Sequence, residues 1–136
     1  MSNPNFRLAS IVAAAALAAS LLILAFCCVI PQRKITNTYK AVEQELVKAF
    51  NAVYAEDYES AYIYCERVRD RVEKELGILE VYFDHSLVFD LYSASRSAAA
   101  MAKTEDPSQL LEELSELASA LDYLYRIHKL NFCNIF

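Results

Sequence analysis

From Leu8 to Ile30 the chain runs for 23 residues without a charge, and Ser10 and Ser20 are its only clearly polar members. Few folded states are open to such a segment. At ~1.5 Å per residue a helix of that length measures roughly 34 Å, enough to cross a hydrocarbon core of about 30 Å. The sequence therefore predicts a transmembrane helix over 8–30, a short flank over 1–7 and a helical domain over 31–136. The lipid bilayer is the first expected partner.

A cleaved leader is the competing expectation. The flank carries one Arg, and the apolar run exceeds the ~7–15 residues of a secretory h-region. Small residues suited to cleavage occur at Ala13–Ala19, with only Leu8–Val12 of apolar sequence ahead of them. Lipoprotein processing wants a small residue before the Cys, but Phe26 precedes Cys27 and Cys27 precedes Cys28. A retained anchor is the expectation. For orientation, Arg7 stands against Arg33, Lys34 and Lys40. Counted with the α-amino group, these charges lean by one towards a cytoplasmic C-terminal domain.

Beyond the run the chain turns acidic. All 18 Asp and Glu lie there, and the net charge of −5 does not suit nucleic acid, which needs a basic patch. One Gly and three Pro argue against a fold rich in strands and turns. Cys27, Cys28, Cys65 and Cys133 lack the paired spacing of a metal motif.

Helical periodicity then recurs four times. Ile35, Tyr39, Val42, Leu46, Ala49, Phe50 and Val53 fall on one face of a helix over 34–55, entered past Pro31, which is expected to break or kink the chain. Asp57 is the expected N-cap of a second helix over 58–76. It buries Tyr58, Ala61, Tyr62, Cys65, Val68, Val72 and Leu76, and carries charge pairs such as Asp70 with Lys74 outside. Gly77, the one glycine, is expected to close it in a left-handed C′ position with Ile78 behind. A third helix over 79–103 carries Val81, Tyr82, His85, Val88, Phe89 and Tyr92 on one face, then a close-packing run of Ser and Ala.

Asp106-Pro107-Ser108-Gln109 reads as an N-cap Asp, Pro at N1 and Gln at N3. A fourth helix then places Leu110, Leu114, Leu117, Leu121, Leu124 and His128 at heptad spacing. Four helices with short connections predict an all-α, antiparallel up-down-up-down four-helix bundle after the transmembrane helix. Cys65 lies too far inside the second helix to pair with Cys133.

The run Phe83-Asp84-His85, the acidic heptad helix and the terminal Asn134-Ile135-Phe136 resemble the bacterial DUF4363 family. These are small proteins, largely of Bacillota, with an N-terminal membrane segment and an otherwise helical chain. Members often carry a Trp about a dozen residues before the His, where this chain has Val72. The resemblance implies an anchored domain outside the cytoplasm, against the charge count, and implies no activity.

The residues that could carry chemistry are His85 and His128, which the topology places in one layer, with Asp84 and Cys133 nearby in sequence. Such a group could bind a transition metal or act as a proton-sensitive switch. A histidine on an apolar stripe more often fills an amphipathic position. No cofactor and no enzymatic activity are expected. Tyr54, Tyr58, Tyr62, Tyr64, Tyr123 and Tyr125 could form a partner-facing surface. Phe132, Ile135 and Phe136 are expected to fold back near Val81, Tyr82 and His85. The reading is a single-pass anchored bundle of the cell envelope that meets a protein partner or its own copy, with ligand, proton or metal sensing as the alternative.

Overall fold

Why this chain makes helices and little else follows from its composition, and the computed structural model bears it out. Its backbone is described over residues 4–104 and 106–133, and its side chains over 10–26, 29–104 and 106–129. Among these residues there is no strand. The helices are α1 (Pro4–Tyr54), α2 (Tyr58–Tyr82), α3 (His85–Met101) and α4 (Pro107–Cys133). The chain divides into two compact units, residues 1–34 and 35–136. The expected tail contacts of Phe132, Ile135 and Phe136 lie outside the described side chains.

In the first unit one helix near the N-terminus is long and apolar enough to cross a membrane, and none of its apolar window is buried. The Ser20 hydroxyl donates to the Ala16 carbonyl at 2.9 Å, so its polar group is satisfied within the helix itself. Of the break or kink expected at Pro31, the break does not occur: the residue lies inside α1. A proline removes one backbone hydrogen bond, whereas helix on either side is set independently. Apolar composition sets it before Pro31, and core packing sets it after.

The second unit is an antiparallel four-helix bundle. Ile35, Val42, Leu46, Ala49 and Val53 of α1 are buried, with Ala61, Cys65, Val68 and Val72 of α2. From α4 come Leu110, Leu114, Leu117, Leu121 and Leu124. These are the stripes that the 3.6-residue period marks. Ile35, Leu79, Phe83 and Leu124 line one void at the end where Ile35 begins the unit. The start of α1's bundle segment therefore lies level with the end of α2 and the last turns of α4. On α3 the buried positions Ser95, Ala98 and Ala99 are small, and they let neighbouring backbones approach closely. The Ser95 hydroxyl donates to the Tyr92 carbonyl at 2.7 Å, which removes the cost of burying it.

Two caps fall where the sequence puts them. Asp57 accepts from the Ser60 N–H at 3.0 Å. Asp106 accepts from the N–H groups of Ser108 and Gln109 at 3.0 and 3.2 Å.

The boundary at Gly77 is corrected. α2 continues through it to Tyr82, and Gly77 does not have a positive φ. Burial of Leu79 on the stripe that already holds Val72 outweighs the weak helix preference of one glycine. The left-handed closure is instead at Glu56, with φ 58°. There the Glu56 N–H donates to the Val53 carbonyl and the Asp57 N–H to the Ala52 carbonyl, the paired bonds of a Schellman motif. The two residues sit in each other's preferred conformations. Gly77→Ala should raise stability by about 0.5–1 kcal/mol, since the added methyl meets nothing within 4 Å. Chemical denaturation checks this; a loss of stability would restore the cap at Gly77.

Candidate functional site

The second helix ends and the third begins at Phe83-Asp84, six residues beyond Gly77. Phe83 adopts an extended conformation, and its N–H closes α2 by donating to the Leu79 carbonyl. Asp84 is the N-cap of α3, accepting from the Ser86 N–H at 2.8 Å and from Ser86 Oγ at 2.6 Å. Those bonds from Ser86 hold its carboxyl below the usual carboxylate range. Asp84 thus has a structural occupation that sequence reasoning missed, although Asp followed two residues later by Ser was a visible capping signal.

The break at Phe83-Asp84 separates Val81 and Tyr82, which end α2, from the α3 residues His85, Val88 and Phe89 expected to share their face. In the structure Val88 and Leu91 are buried, while Val81, Tyr82, His85 and Phe89 are exposed. His85 lines an open groove between α2 and α3 with Leu76, Glu80, Val88 and Phe89.

His128 occupies a different setting. It is half-buried on α4, its ring centroid 6.1 Å from that of Phe83. Its Nε2 is shut off from solvent with no hydrogen-bond partner among the described residues. Burial lowers its pKa from the ordinary value, because a charged imidazolium there would lose hydration with nothing to replace it. Phe83 puts the two histidines near one level, but His85 faces the outer groove and His128 packs on Phe83. Cys133 ends α4, and its side chain lies outside the described residues. Among the described residues no three His, Cys, Asp or Glu side chains group in a way that could hold a metal ion.

The sign of a pH effect follows from His128. In the unfolded chain a His titrates near 6.5, and the folded state takes up its proton at lower pH. Above about pH 6.5 the group makes no difference to stability. As pH falls through that value, the unfolded chain binds protons first and stability drops. Asp57 and Asp84, both with lowered pKa, lose their contributions only further into acid. Between pH 7 and 5 a falling melting temperature is expected for the parent, with a shallower fall for His128→Gln. Equal slopes would remove His128 from the account.

Behind these residues lies an apolar core of buried Leu, Val and Ala side chains. The void shared by Ile35, Thr38, Val72, Leu79, Leu121 and Leu124 has a volume of about 20 Å³, room for one water against an apolar lining. At its rim Tyr39 stacks on Tyr125, with centroids 3.9 Å apart and planes 11° from parallel. Tyr39 donates to Glu43 Oε1 at 3.1 Å. Burial first, then the Glu43 carboxylate, pushes the Tyr39 hydroxyl up to about 12. Cys65 is a free thiol in the core, pushed up to about 12 by burial and then by Glu66. It is suited to filling space and not to nucleophilic attack, since the thiolate is the reactive form.

The surface offers two further features. The tyrosines considered for a partner-facing surface are spread over several seams. Tyr64 has Lys48 and Arg67 over its ring at 5.7 and 5.5 Å, Tyr62 has Lys103 at 5.4 Å, and Tyr54 and Tyr123 are exposed. Among the described ion pairs on α2, Arg69 meets Glu66 and Asp70 at 2.6 Å each, while Arg67 reaches across to Glu45 on α1 at 3.7 Å. Arg67 thus turns towards its neighbouring helix, and Asp70, expected opposite Lys74, meets Arg69.

Among the described residues, fold and site define an all-α protein: a helical bundle with a buried apolar core, preceded in sequence by an exposed apolar helical segment. The sequence profile of DUF4363, a domain of unknown function, matches residues 29–135. The chain belongs to that family. No curated protein and no solved structure matches it.

Proposed function

We propose that this protein is a single-pass, membrane-anchored structural or interaction module of the bacterial cell envelope, with its bundle outside the cytoplasm. The observation that carries this is the apolar helix, whose side chains from Ile11 to Phe26 stand exposed. A run of that kind is costly in water and at home in lipid. The buried apolar core supports action through the surface and not through a buried catalytic pocket, so the module is not proposed as an enzyme. Its partner is a second protein or another copy of the chain.

Crosslinking in intact membranes followed by affinity capture tests the module. A specific adduct through the 35–136 unit is expected, and the absence of any adduct across several crosslinker lengths would count against it. Protease added outside intact cells should digest that unit. Full protection, with digestion only after lysis, would reverse the orientation.

Proton or ligand sensing at His128 is a second function, favoured by its buried, unpartnered Nε2. Its test is the pH series above.

A further inference from the structure

Besides Val47, Tyr54, Ile63 and Tyr123, three large apolar side chains of the 35–136 unit are exposed close together in sequence, where α2 gives way to α3. Val81 is 74% exposed, Tyr82 44% and Phe89 64%. Val81 and Tyr82 end α2, and Phe89 lies just over one turn into α3. Their neighbours Leu79 and Phe83 turn inwards and line the same void as Ile35. The exposed residues therefore stand at the end of the bundle where Ile35 begins.

Chain length bounds where that end can be. Ile35 follows Ile30, the last residue of the apolar run, by five positions. Whatever path those residues take, they span at most ~18 Å. The polar interfacial zone itself occupies several ångströms beyond the hydrocarbon on each side. An apolar corner at the Ile35 end is thus within reach of that zone, and Tyr and Phe are residue types that partition into it.

The two ends of the bundle differ in charge. At the opposite end acidic residues, Asp57, Glu59, Glu112 and Glu113 among them, far outnumber basic ones, and lipid phosphates would repel it. At the Ile35 end acidic residues still outnumber Lys40, Lys74, Arg126 and Lys129, but by less. Of the two ends, the second is the less repelled by an anionic surface.

We propose that Val81, Tyr82 and Phe89 form a second membrane contact, a shallow insertion at the boundary between headgroups and acyl chains of the bilayer that holds the apolar helix. The proposal rests on the anchoring reading above. Two contacts fix the bundle's orientation where one tether would let it swing, and they turn the more acidic end towards water.

The chain has no tryptophan, so single-Trp reporters are available without other changes. Tyr82→Trp and Phe89→Trp probe the corner, and Tyr54→Trp, at the opposite end and 72% exposed in the parent, is the reference. Each full-length variant is reconstituted into phosphatidylcholine vesicles, with and without phosphatidylglycerol, and with acyl-brominated lipid added in parallel. Blue-shifted emission and loss of intensity with brominated lipid are expected at positions 82 and 89. Position 54 should respond to aqueous acrylamide instead.

A carbonate wash of the same vesicles separates the possible failures. Retained protein whose reporters at 82 and 89 are quenched by acrylamide and not by brominated lipid would overturn the contact and leave the anchor standing. Retained protein shielded from both quenchers would mean that a second copy or the C-terminal tail covers the corner, which also overturns it. Lipid quenching at position 54 equal to that at 82 and 89 would show unspecific adsorption and overturn it as well. Release of the protein by the wash would overturn both contact and anchor.

Discussion

Leu17→Arg combined with Leu21→Arg should release the protein from carbonate-washed membranes. Both positions lie near the middle of the 8–30 run, one turn apart on the same helical face. Arginine at the centre of a spanning helix costs about 2.5–3.5 kcal/mol on insertion scales. Two on one face, too deep to reach either headgroup layer easily, should cost roughly twice that before any loss of leucine is counted. The bundle unit does not use either residue, and both are exposed at 65% and 59%. Tyr54→Arg, a charge placed outside the run, should leave retention unchanged. Fractionation with an immunoblot of pellet and supernatant reads the result, and intact mass shows whether the N-terminus persists. If the double variant pellets as fully as the parent, the 8–30 run is not what holds this protein to membranes.

Leu114→Ala should destabilise the bundle by about 2–5 kcal/mol. Leu114 is fully buried, and it belongs to the α4 stripe between Leu110 and Leu117, which are also buried. Removing its side chain forfeits burial and leaves a cavity whose walls belong to helices that cannot all move in. A domain of this size typically has only ~5–15 kcal/mol of stability in total. The melting temperature should therefore fall by well over 10 °C, at about 4–8 °C per kcal/mol. Thermal unfolding of the full chain in mild detergent, followed by circular dichroism, measures it. Tyr123→Ala, 55% exposed on the same helix, should stay within about 0.5 kcal/mol of the parent. Comparable losses for the two variants would mean that α4 does not present the Leu114 face to the core.

The two histidines show how far a candidate site can be read without a structure. Their shared level was legible, because short connections and helix lengths determine which residues of an antiparallel pair stand opposite. Their surroundings were not. Whether His85 met His128 depended on the rotation of α3 about its axis, and the apolar pattern left two faces open, one with His85 and Phe89 and one with Leu91, Ser95 and Ala98. Packing of the bundle buries the second, together with Val88, and leaves His85 and Phe89 outside. The break at Phe83-Asp84 places Val81 and Tyr82 at the end of α2 and out of the α3 stripe altogether. Asp84, read first as a candidate ligand, is the cap at that break.

The sequence alone determined the four helical segments of the bundle, the stripes of α1, α2 and α4, the caps at Asp57 and Asp106, and the family. Each of these depends on local chemistry: a burial period of 3.6 residues, or a carboxylate beside free N–H groups. The apolar run from Leu8 to Ile30 is legible for the same reason, since no neighbour is needed to make 23 uncharged residues insoluble. Tertiary structure alone decided that α2 runs through Gly77, that Glu56 takes the left-handed position, that Arg67 turns to Glu45, and that His128 packs on Phe83. At each of those places the local preference is worth a kcal/mol or so. Burying one more side chain such as Leu79 is worth more than that, and only the packed bundle says which side chains are buried.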